Sequence, residues 1–147
     1  MLIEHLEGNI KFTNKSISWE DSIRLASEIL LEKEYITKQY IEKMINNVYE
    51  YGPYIVITPG FAMPHAKNEN NEVIQTSISL LNIKKSVLYP KNNKVSLVMV
   101  LAAKDTSEHL ELISSLSSLL MEDHFQEKME NANNEEEVIK TINDYMD

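Results

Sequence analysis

The sequence predicts an α/β fold, a three-layer-like sandwich of a mixed β-sheet flanked by helices, formed by a single domain over residues 1–147. Three observations support this fold class. Five segments repeat apolar residues at helical spacing, and three short segments rich in β-branched residues lie between them. The length of 147 residues suits one hydrophobic core. The chain has no internal repeat and no long linker.

Two helices are predicted before the first strand. The first covers residues 18–36, where Ser18 followed by Asp21 resembles a capping box. The second starts at Thr37 and ends at Gly52, which a proline follows. Both segments carry apolar residues on one face, so we expect each helix to pack against the sheet.

Three strands are predicted, over residues 54–58, 73–83 and 94–102. The first is β-branched and aromatic, which is typical of a buried strand, and Pro59 and Gly60 end it. A loop containing FAMPHAK follows. The third is the most continuously apolar, so we expect it at the centre of the sheet. The pattern does not determine the order of the strands.

Three helices are predicted after the last strand, over residues 105–123, 124–132 and 134–146. The first begins with an N-capping signal at Asp105, Thr106 and Ser107, and it carries His109 in its first turn. The last has glutamates in its first turn, where the helix dipole favours negative charge.

Composition and charge exclude several classes of protein. The chain has no cysteine, which excludes disulfides, thiolate catalysis and cysteine-ligated metal sites. Its formal net charge of −9 opposes binding to nucleic acid. The N-terminus does not resemble a secretory signal, and the longest apolar stretch, Val95–Ala103, falls far short of the roughly 20 residues that span a membrane. We therefore expect a soluble, cytoplasmic protein without direct membrane insertion.

The segment GFAMPHAK places His65 directly after a proline, in the loop behind the first predicted strand. Pro64 fixes its own φ and restricts Met63 to an extended conformation, so the backbone around His65 is held. A neutral imidazole nitrogen is nucleophilic near pH 7 and forms a labile N–P bond, which suits phosphoryl transfer. The alternative is a loop histidine that hydrogen-bonds its own backbone. Spacing alone leaves both interpretations open.

His109 begins the helix that follows the most apolar strand, where free backbone N–H groups favour an anion. Loops beyond the carboxyl ends of neighbouring strands converge in α/β sheets, so His65 and His109 are expected to meet if their strands are neighbours. His109 is otherwise an exposed residue of an amphipathic helix.

The remaining candidates carry weaker signals. His5 and His124 are interpreted as ordinary surface histidines. A metal held by His65 and His109 stays open, but no HExxH-like spacing supports it, and we expect no metal. No cofactor is expected either, because the chain lacks P-loop, GxGxxG and GxSxG motifs.

The segment PGFAMPHA, followed by VSLVMVLAAKDTSEHLELISSLSSLL, resembles the mannitol/fructose-type enzyme IIA family of the phosphoenolpyruvate-dependent phosphotransferase system. The resemblance spans nearly the whole chain. It implies an α/β sandwich in which the G-x-A-x-P-H histidine, here His65, is phosphorylated and a later histidine, here His109, lines the same site. The stretch EYGPYIVITPGFAMPHAK is similar to the ascorbate branch of the family.

The resemblance implies a phosphotransferase component that works through a phosphohistidine. His65 would accept phosphate from the carrier protein HPr and pass it to an enzyme IIB component, which acts with the membrane permease IIC to take up an ascorbate-like sugar. The alternative is a regulatory enzyme IIA-like domain whose phosphorylation state controls a protein partner.

One departure from the family pattern concerns charge. Mannitol-type members have an arginine before the first strand, whereas the segment NNVYEYG has no basic residue. One hypothesis is that Lys67 supplies part of that charge, and the alternative is a solvated lysine of a polar loop. Phe61 and Met63 are expected either to form an apolar rim around His65 for HPr or to lie in the core.

Overall fold

The computed structural model describes residues 2–146, which form helices and strands as follows. The α-helices are α1 (Leu2–Leu6), α2 (Trp19–Glu32), α3 (Lys38–Tyr51), α4 (Thr106–Leu120), α5 (Phe125–Asn131) and α6 (Glu135–Tyr145). The strands are β1 (Ile10–Thr13), β2 (Val56–Thr58), β3 (Gly60–Ala62), β4 (Ser77–Tyr89) and β5 (Asn93–Ala102), with a 3₁₀ turn at Pro90–Asn92.

The strands form one mixed sheet in the order β1-β4-β5-β3-β2. The pairs β1–β4 and β5–β3 are parallel, whereas β4–β5 and β3–β2 are antiparallel. The central strand is β5, as its continuous apolar sequence predicts. Because β3 runs parallel to β5, the carboxyl ends of these two strands reach the same edge of the sheet.

Helices cover both faces of the sheet and give two apolar cores. On one face α2 and α3 pack over the sheet around Ile23, Tyr40 and Val98. On the other face α1, α4, α5 and α6 enclose Phe61 and Leu116 with their neighbours. The predicted α/β sandwich with a mixed sheet and flanking helices is confirmed.

The capping predictions agree with the structure. The side chains of Ser18, Thr37 and Asp105 accept hydrogen bonds from backbone N–H groups and begin α2, α3 and α4. The predicted end of the first helix was wrong, because α2 ends at Glu32 and Glu34 has a positive φ of 61°.

Three predictions about strands were wrong. The segment 54–58 is not a buried strand, because β2 lies at the sheet edge and Ile57 is 40% exposed. Part of the predicted loop is a strand, because Gly60–Ala62 forms β3 and pairs with β5. Two helices do not precede the first strand, because α1 and β1 come before α2. A four-residue strand such as β1 has too little periodicity to stand out in the sequence.

Candidate functional site

His65 and His109 meet at the edge of the sheet where β3 and β5 end. His65 follows β3 after two residues, and His109 lies in the first turn of α4, shortly after β5. Their ring centroids are 5.3 Å apart, and the ring planes are tilted by 55°. The expected convergence of the two loops is therefore confirmed, and its cause is the parallel pairing of β3 with β5.

The His65 ring is oriented by its own backbone. Its Nδ1 lies 2.7 Å from the carbonyl oxygen of Met63. A carbonyl oxygen only accepts hydrogen bonds, so Nδ1 carries the proton in the neutral ring and Nε2 carries a lone pair. The backbone hydrogen bond that the sequence offered as an alternative to a functional role therefore exists, and it leaves Nε2 as the unprotonated nitrogen of the ring.

Tyr54 holds the other side of His65. Its hydroxyl donates to the His65 carbonyl oxygen at 3.0 Å, and its ring meets the imidazole edge-on with centroids 5.4 Å apart. Burial raises the pKa of Tyr54, so its hydroxyl remains a donor at neutral pH. Tyr54 is thus a residue of the site that the sequence prediction missed, since it was assigned to a buried strand.

Both histidines are neutral at pH 7. Burial lowers the pKa of His65 below 6.5, against the opposite effect of the Met63 carbonyl. Burial also lowers the pKa of His109, and repulsion from a protonated His65 would lower it further. Conversion of either ring to the charged imidazolium form is therefore disfavoured, and the site presents two uncharged rings.

The two rings line an open cavity of about 430 Å³. Its other lining residues are Lys43, Asn47, Tyr51, Tyr54, Ala66, Lys67 and Glu69. The cavity combines a nucleophilic imidazole, a second imidazole and two lysines, which suits a phosphoryl group.

The two lysines of the cavity differ in their surroundings. The Lys43 ammonium donates to Glu69 at 2.9 Å, to Glu72 at 3.0 Å and to the Lys67 carbonyl oxygen at 2.7 Å. Burial would lower the pKa of Lys43, but its carboxylate partners outweigh this effect and raise it. The Lys67 side chain is exposed, and no carboxylate within residues 2–146 forms an ion pair with it. Of the two lysines, Lys67 is therefore the one whose charge is more available to an anion in the cavity.

Of the two interpretations of Phe61 and Met63, the apolar rim was wrong and the core position is the one observed. Phe61 is 0% and Met63 is 2% exposed, and both pack in the core beneath α4 and α5. Phe61 pairs with Leu97 of the central strand, and Met63 directly follows β3, so the structure supports the core interpretation. Exposed apolar surface near the histidines comes instead from Tyr51, Tyr54 and Leu110.

The other two histidines lie outside the cavity. His5 belongs to α1, and His124 precedes α5, with its side chain 74% exposed beside Glu127. Among the described residues, no group of three or more histidine and carboxylate side chains is placed to hold a metal ion. No helix of residues 2–146 is long and apolar enough to cross a membrane.

Comparison with known proteins agrees with this geometry. The family model for the phosphoenolpyruvate-dependent sugar phosphotransferase system, EIIA 2, matches residues 5–145. The chain belongs to this family. It is a phosphotransferase component, and members of the EIIA family transfer phosphate through a phosphohistidine to an EIIB component.

Individual relatives cover most of the chain. A mannitol-specific cryptic phosphotransferase enzyme IIA component of Escherichia coli is 31% identical over 92% of each chain. An ascorbate-specific EIIA component of the same organism is 26% identical over 91% of this chain and 88% of its own. The solution structure of the cryptic mannitol-specific enzyme IIA superposes with a TM-score of 0.87, at 30% identity over 96% of this chain and 97% of that one.

Proposed function

We propose that His65 carries the phosphoryl group on Nε2, that His109 supports it, and that residues 1–147 act as one phosphocarrier domain. The observation that carries this proposal is the hydrogen bond between His65 Nδ1 and the Met63 carbonyl, because it leaves Nε2 as the nucleophilic atom of a ring that lines the cavity. Neutrality at pH 7 keeps that lone pair available.

The transfer step follows from the tautomer. The Nε2 lone pair attacks the phosphorus atom of a donor phosphohistidine, and the electron pair of the breaking N–P bond returns to the donor's ring nitrogen. His65 then bears phosphorus on Nε2 and a proton on Nδ1, so its ring is positively charged. The Met63 carbonyl at 2.7 Å stabilises this charge. Onward transfer reverses the step, because Nε2 leaves as a neutral ring nitrogen.

His109 and Lys67 stabilise the phosphoryl oxygens in this account. His109 is neutral, so it donates one ring N–H hydrogen bond without adding a charge. Lys67 is exposed and lines the same cavity, and its ammonium supplies the positive charge that an arginine supplies in mannitol-type members. Lys43 is held by Glu69 and Glu72 and contributes less.

The phosphate comes from HPr and passes to an EIIB component, which acts with the membrane permease IIC in the uptake of a sugar, and the chain works in the cytoplasm. An ascorbate-like sugar remains the prediction from the local sequence around His65. The identities of 31% to a mannitol-type and 26% to an ascorbate-type relative do not single out one sugar. Supplying purified EIIB domains of both types and comparing the rates of onward transfer identifies the branch.

Transfer of label from radioactive phosphoenolpyruvate tests the proposed role of His65. Enzyme I and HPr are mixed with the wild-type chain, with His65→Ala and with His109→Ala. We expect acid-labile label on the wild type, slower labelling of His109→Ala and none on His65→Ala. Label that persists on His65→Ala would overturn the assignment. Labelled chain that fails to pass phosphate to either EIIB would favour the regulatory alternative.

A further inference from the structure

The hydroxyl group of Tyr40 lies in the core directly beneath the candidate site. Tyr40 is on α3 and is 0% exposed. Its O–H donates to the carbonyl oxygen of Leu101 at 2.6 Å. The hydroxyl oxygen of Tyr40 accepts the N–H of Ala66 at 3.2 Å, and the Ala66 carbonyl oxygen lies 3.3 Å from the same hydroxyl. A single buried hydroxyl therefore links β5 to the residue that follows His65.

Leu101 also holds the residue that precedes His65. Its backbone N–H donates to the carbonyl oxygen of Pro64 at 2.9 Å. Residue 101 thus binds both neighbours of His65, directly at Pro64 and through Tyr40 at Ala66. The Met63 carbonyl that orients the His65 ring lies directly before this held segment, and the His65 carbonyl that Tyr54 binds lies within it.

The environment of Tyr40 keeps this link intact. Burial raises the pKa of Tyr40 well above its usual value, so its hydroxyl stays protonated. Ala66 and Leu101 are 5% and 1% exposed. Without the hydroxyl, the Ala66 N–H and the Leu101 carbonyl would lose a partner in a place that water does not easily reach, which is unfavourable.

We propose that Tyr40 is a positioning residue for phosphoryl transfer, whose hydroxyl ties the backbone after His65 to Leu101, the residue that also holds Pro64, and thereby keeps Nδ1 on Met63 and Nε2 in the cavity. Tyr40 does not reach the phosphoryl group and acts only through His65. The expected effect of Tyr40 on the rate of phosphorylation rests on the proposed function. The expected effect of Tyr40 on the orientation of the His65 ring does not depend on phosphate, so it is measured separately.

Tyr89 provides a matched control. It is 1% exposed, belongs to the same core as Tyr40, and its hydroxyl is hydrogen-bonded to the Ser22 side chain at 2.7 Å. Tyr89 is the last residue of β4, whose first residue, Ser77, pairs with Ala102 at the site edge. Tyr89→Phe therefore removes an equally buried hydroxyl at the opposite end of the sheet.

The test compares Tyr40→Phe, Tyr89→Phe and the wild type in three measurements. These are the urea midpoint, the tautomer and pKa of His65 by ¹⁵N NMR, and the rate of phosphorylation by phosphorylated HPr. We expect both variants to lower the urea midpoint. Only Tyr40→Phe is expected to give a mixture of His65 tautomers, a His65 pKa that falls further because the Met63 carbonyl no longer opposes the effect of burial, and phosphorylation slower by about 10- to 100-fold.

Several results would overturn the proposal. One is a His65 tautomer and pKa in Tyr40→Phe that match the wild type, and another is a rate that matches Tyr89→Phe. A measurement on the unmodified protein covers the case in which Tyr40→Phe does not fold. The Ala66 amide is expected to exchange with solvent at least about 100-fold more slowly than an unprotected loop amide, and rapid exchange at Ala66 would contradict the link. Absence of phosphorylation in the wild type would refute the proposed function but leave the two NMR readouts decisive for Tyr40.

Discussion

The imidazole rings of His65 and His109 lie 5.3 Å apart between centroids, although 43 positions separate them in the sequence. The parallel pairing of β3 with β5 produces this proximity, because each histidine follows the carboxyl end of one of these strands. One ring is turned so that Nε2 is free, and the other is a neutral neighbour. This relationship leads to the predictions below.

Removing the His109 ring is expected to slow phosphorylation of His65 without abolishing it. His109→Ala loses one donor to the phosphoryl oxygens, and loss of such a donor costs about 10²-fold in rate. Rapid-quench measurement with phosphorylated HPr determines the rate. His124→Ala is the matched control, because that side chain is exposed and outside the cavity. Equal rates in the two variants would remove His109 from the mechanism.

The two histidines are expected to make the free energy of unfolding fall in mild acid. Their pKa values in the folded chain are lowered, chiefly by burial, below the unfolded value near 6.5. The unfolded chain therefore binds more protons as the pH falls from 6.5 through the folded pKa values, and stability is lost in that window. Well above pH 6.5 the histidines are neutral in both states, and this contribution is constant.

Urea unfolding at pH 5 and pH 7.5 measures this effect. In Glu72, burial would raise the pKa, but hydrogen bonds from Asn70, Lys43 and Glu69 outweigh it and lower the pKa below 4.5, so its window lies at more acid pH. We expect a smaller pH difference in the urea midpoint for the double variant His65→Gln/His109→Gln than for the wild type. An unchanged difference would show that other groups produce it.

Replacing Lys67 by alanine is expected to lower the rate of phosphorylation and to reduce the dependence of that rate on salt. Lys67→Ala removes an exposed charge from the cavity lining, so phosphorylation slows by about 10-fold, whereas Lys67→Arg keeps the charge and most of the rate. Steady-state labelling at 50 mM and 500 mM salt measures both effects. Lys85→Ala, on an exposed part of β4 distant from the cavity, serves as the control. A Lys67→Ala variant with the rate and salt dependence of the wild type would show that Lys67 does not replace the charge of the missing arginine.

Gly60, the first residue of β3, is expected to be sensitive to a side chain. Its φ is +94°, and an added Cβ would lie 2.8 Å from Gln126 Nε2 and 3.0 Å from Glu130 Oε2. Gln126 Nε2 donates to the Pro59 carbonyl at 2.6 Å, and Glu130 Oε2 accepts from Ser96 at 2.9 Å. Gly60→Ala therefore combines backbone strain with loss of these contacts, and we expect it to cost about 2–4 kcal/mol.

Gly52→Ala separates the two causes. Gly52 has a φ of +87°, but nothing lies within 4 Å of an added Cβ, so only the backbone strain of about 1–2 kcal/mol applies. Urea unfolding of both variants gives the comparison. Equal losses of stability would mean that the contacts of Gln126 and Glu130 adapt freely to the methyl group.

Much of the architecture could be predicted from the sequence because its signals are local. Capping side chains at Ser18, Thr37 and Asp105 mark the starts of helices, and the unbroken apolar run of β5 indicates a central strand. In contrast, β1 and β3 have four and three residues and are stabilised by pairing with distant strands. Such pairing is a tertiary property that periodicity does not contain.

The site itself was predicted only in part. The motif around Pro64 identifies His65, and a helix start identifies His109, because both signals lie within a few residues. The contributions of Tyr40 and Tyr54 depend on which hydroxyl reaches which carbonyl across the fold. Spacing along α3 presents Tyr40 simply as a core residue, and nothing local distinguishes its hydroxyl from that of Tyr89.

The most direct test of the account is to find which atom carries the phosphorus. The chain is labelled with ¹⁵N-histidine, phosphorylated through enzyme I and HPr, and examined by ¹⁵N–³¹P correlation NMR. We predict one phosphorus-coupled nitrogen, Nε2 of His65, together with a protonated Nδ1 that retains its hydrogen bond to Met63. Coupling to Nδ1 of His65, or to a nitrogen of His109, would contradict the central claim.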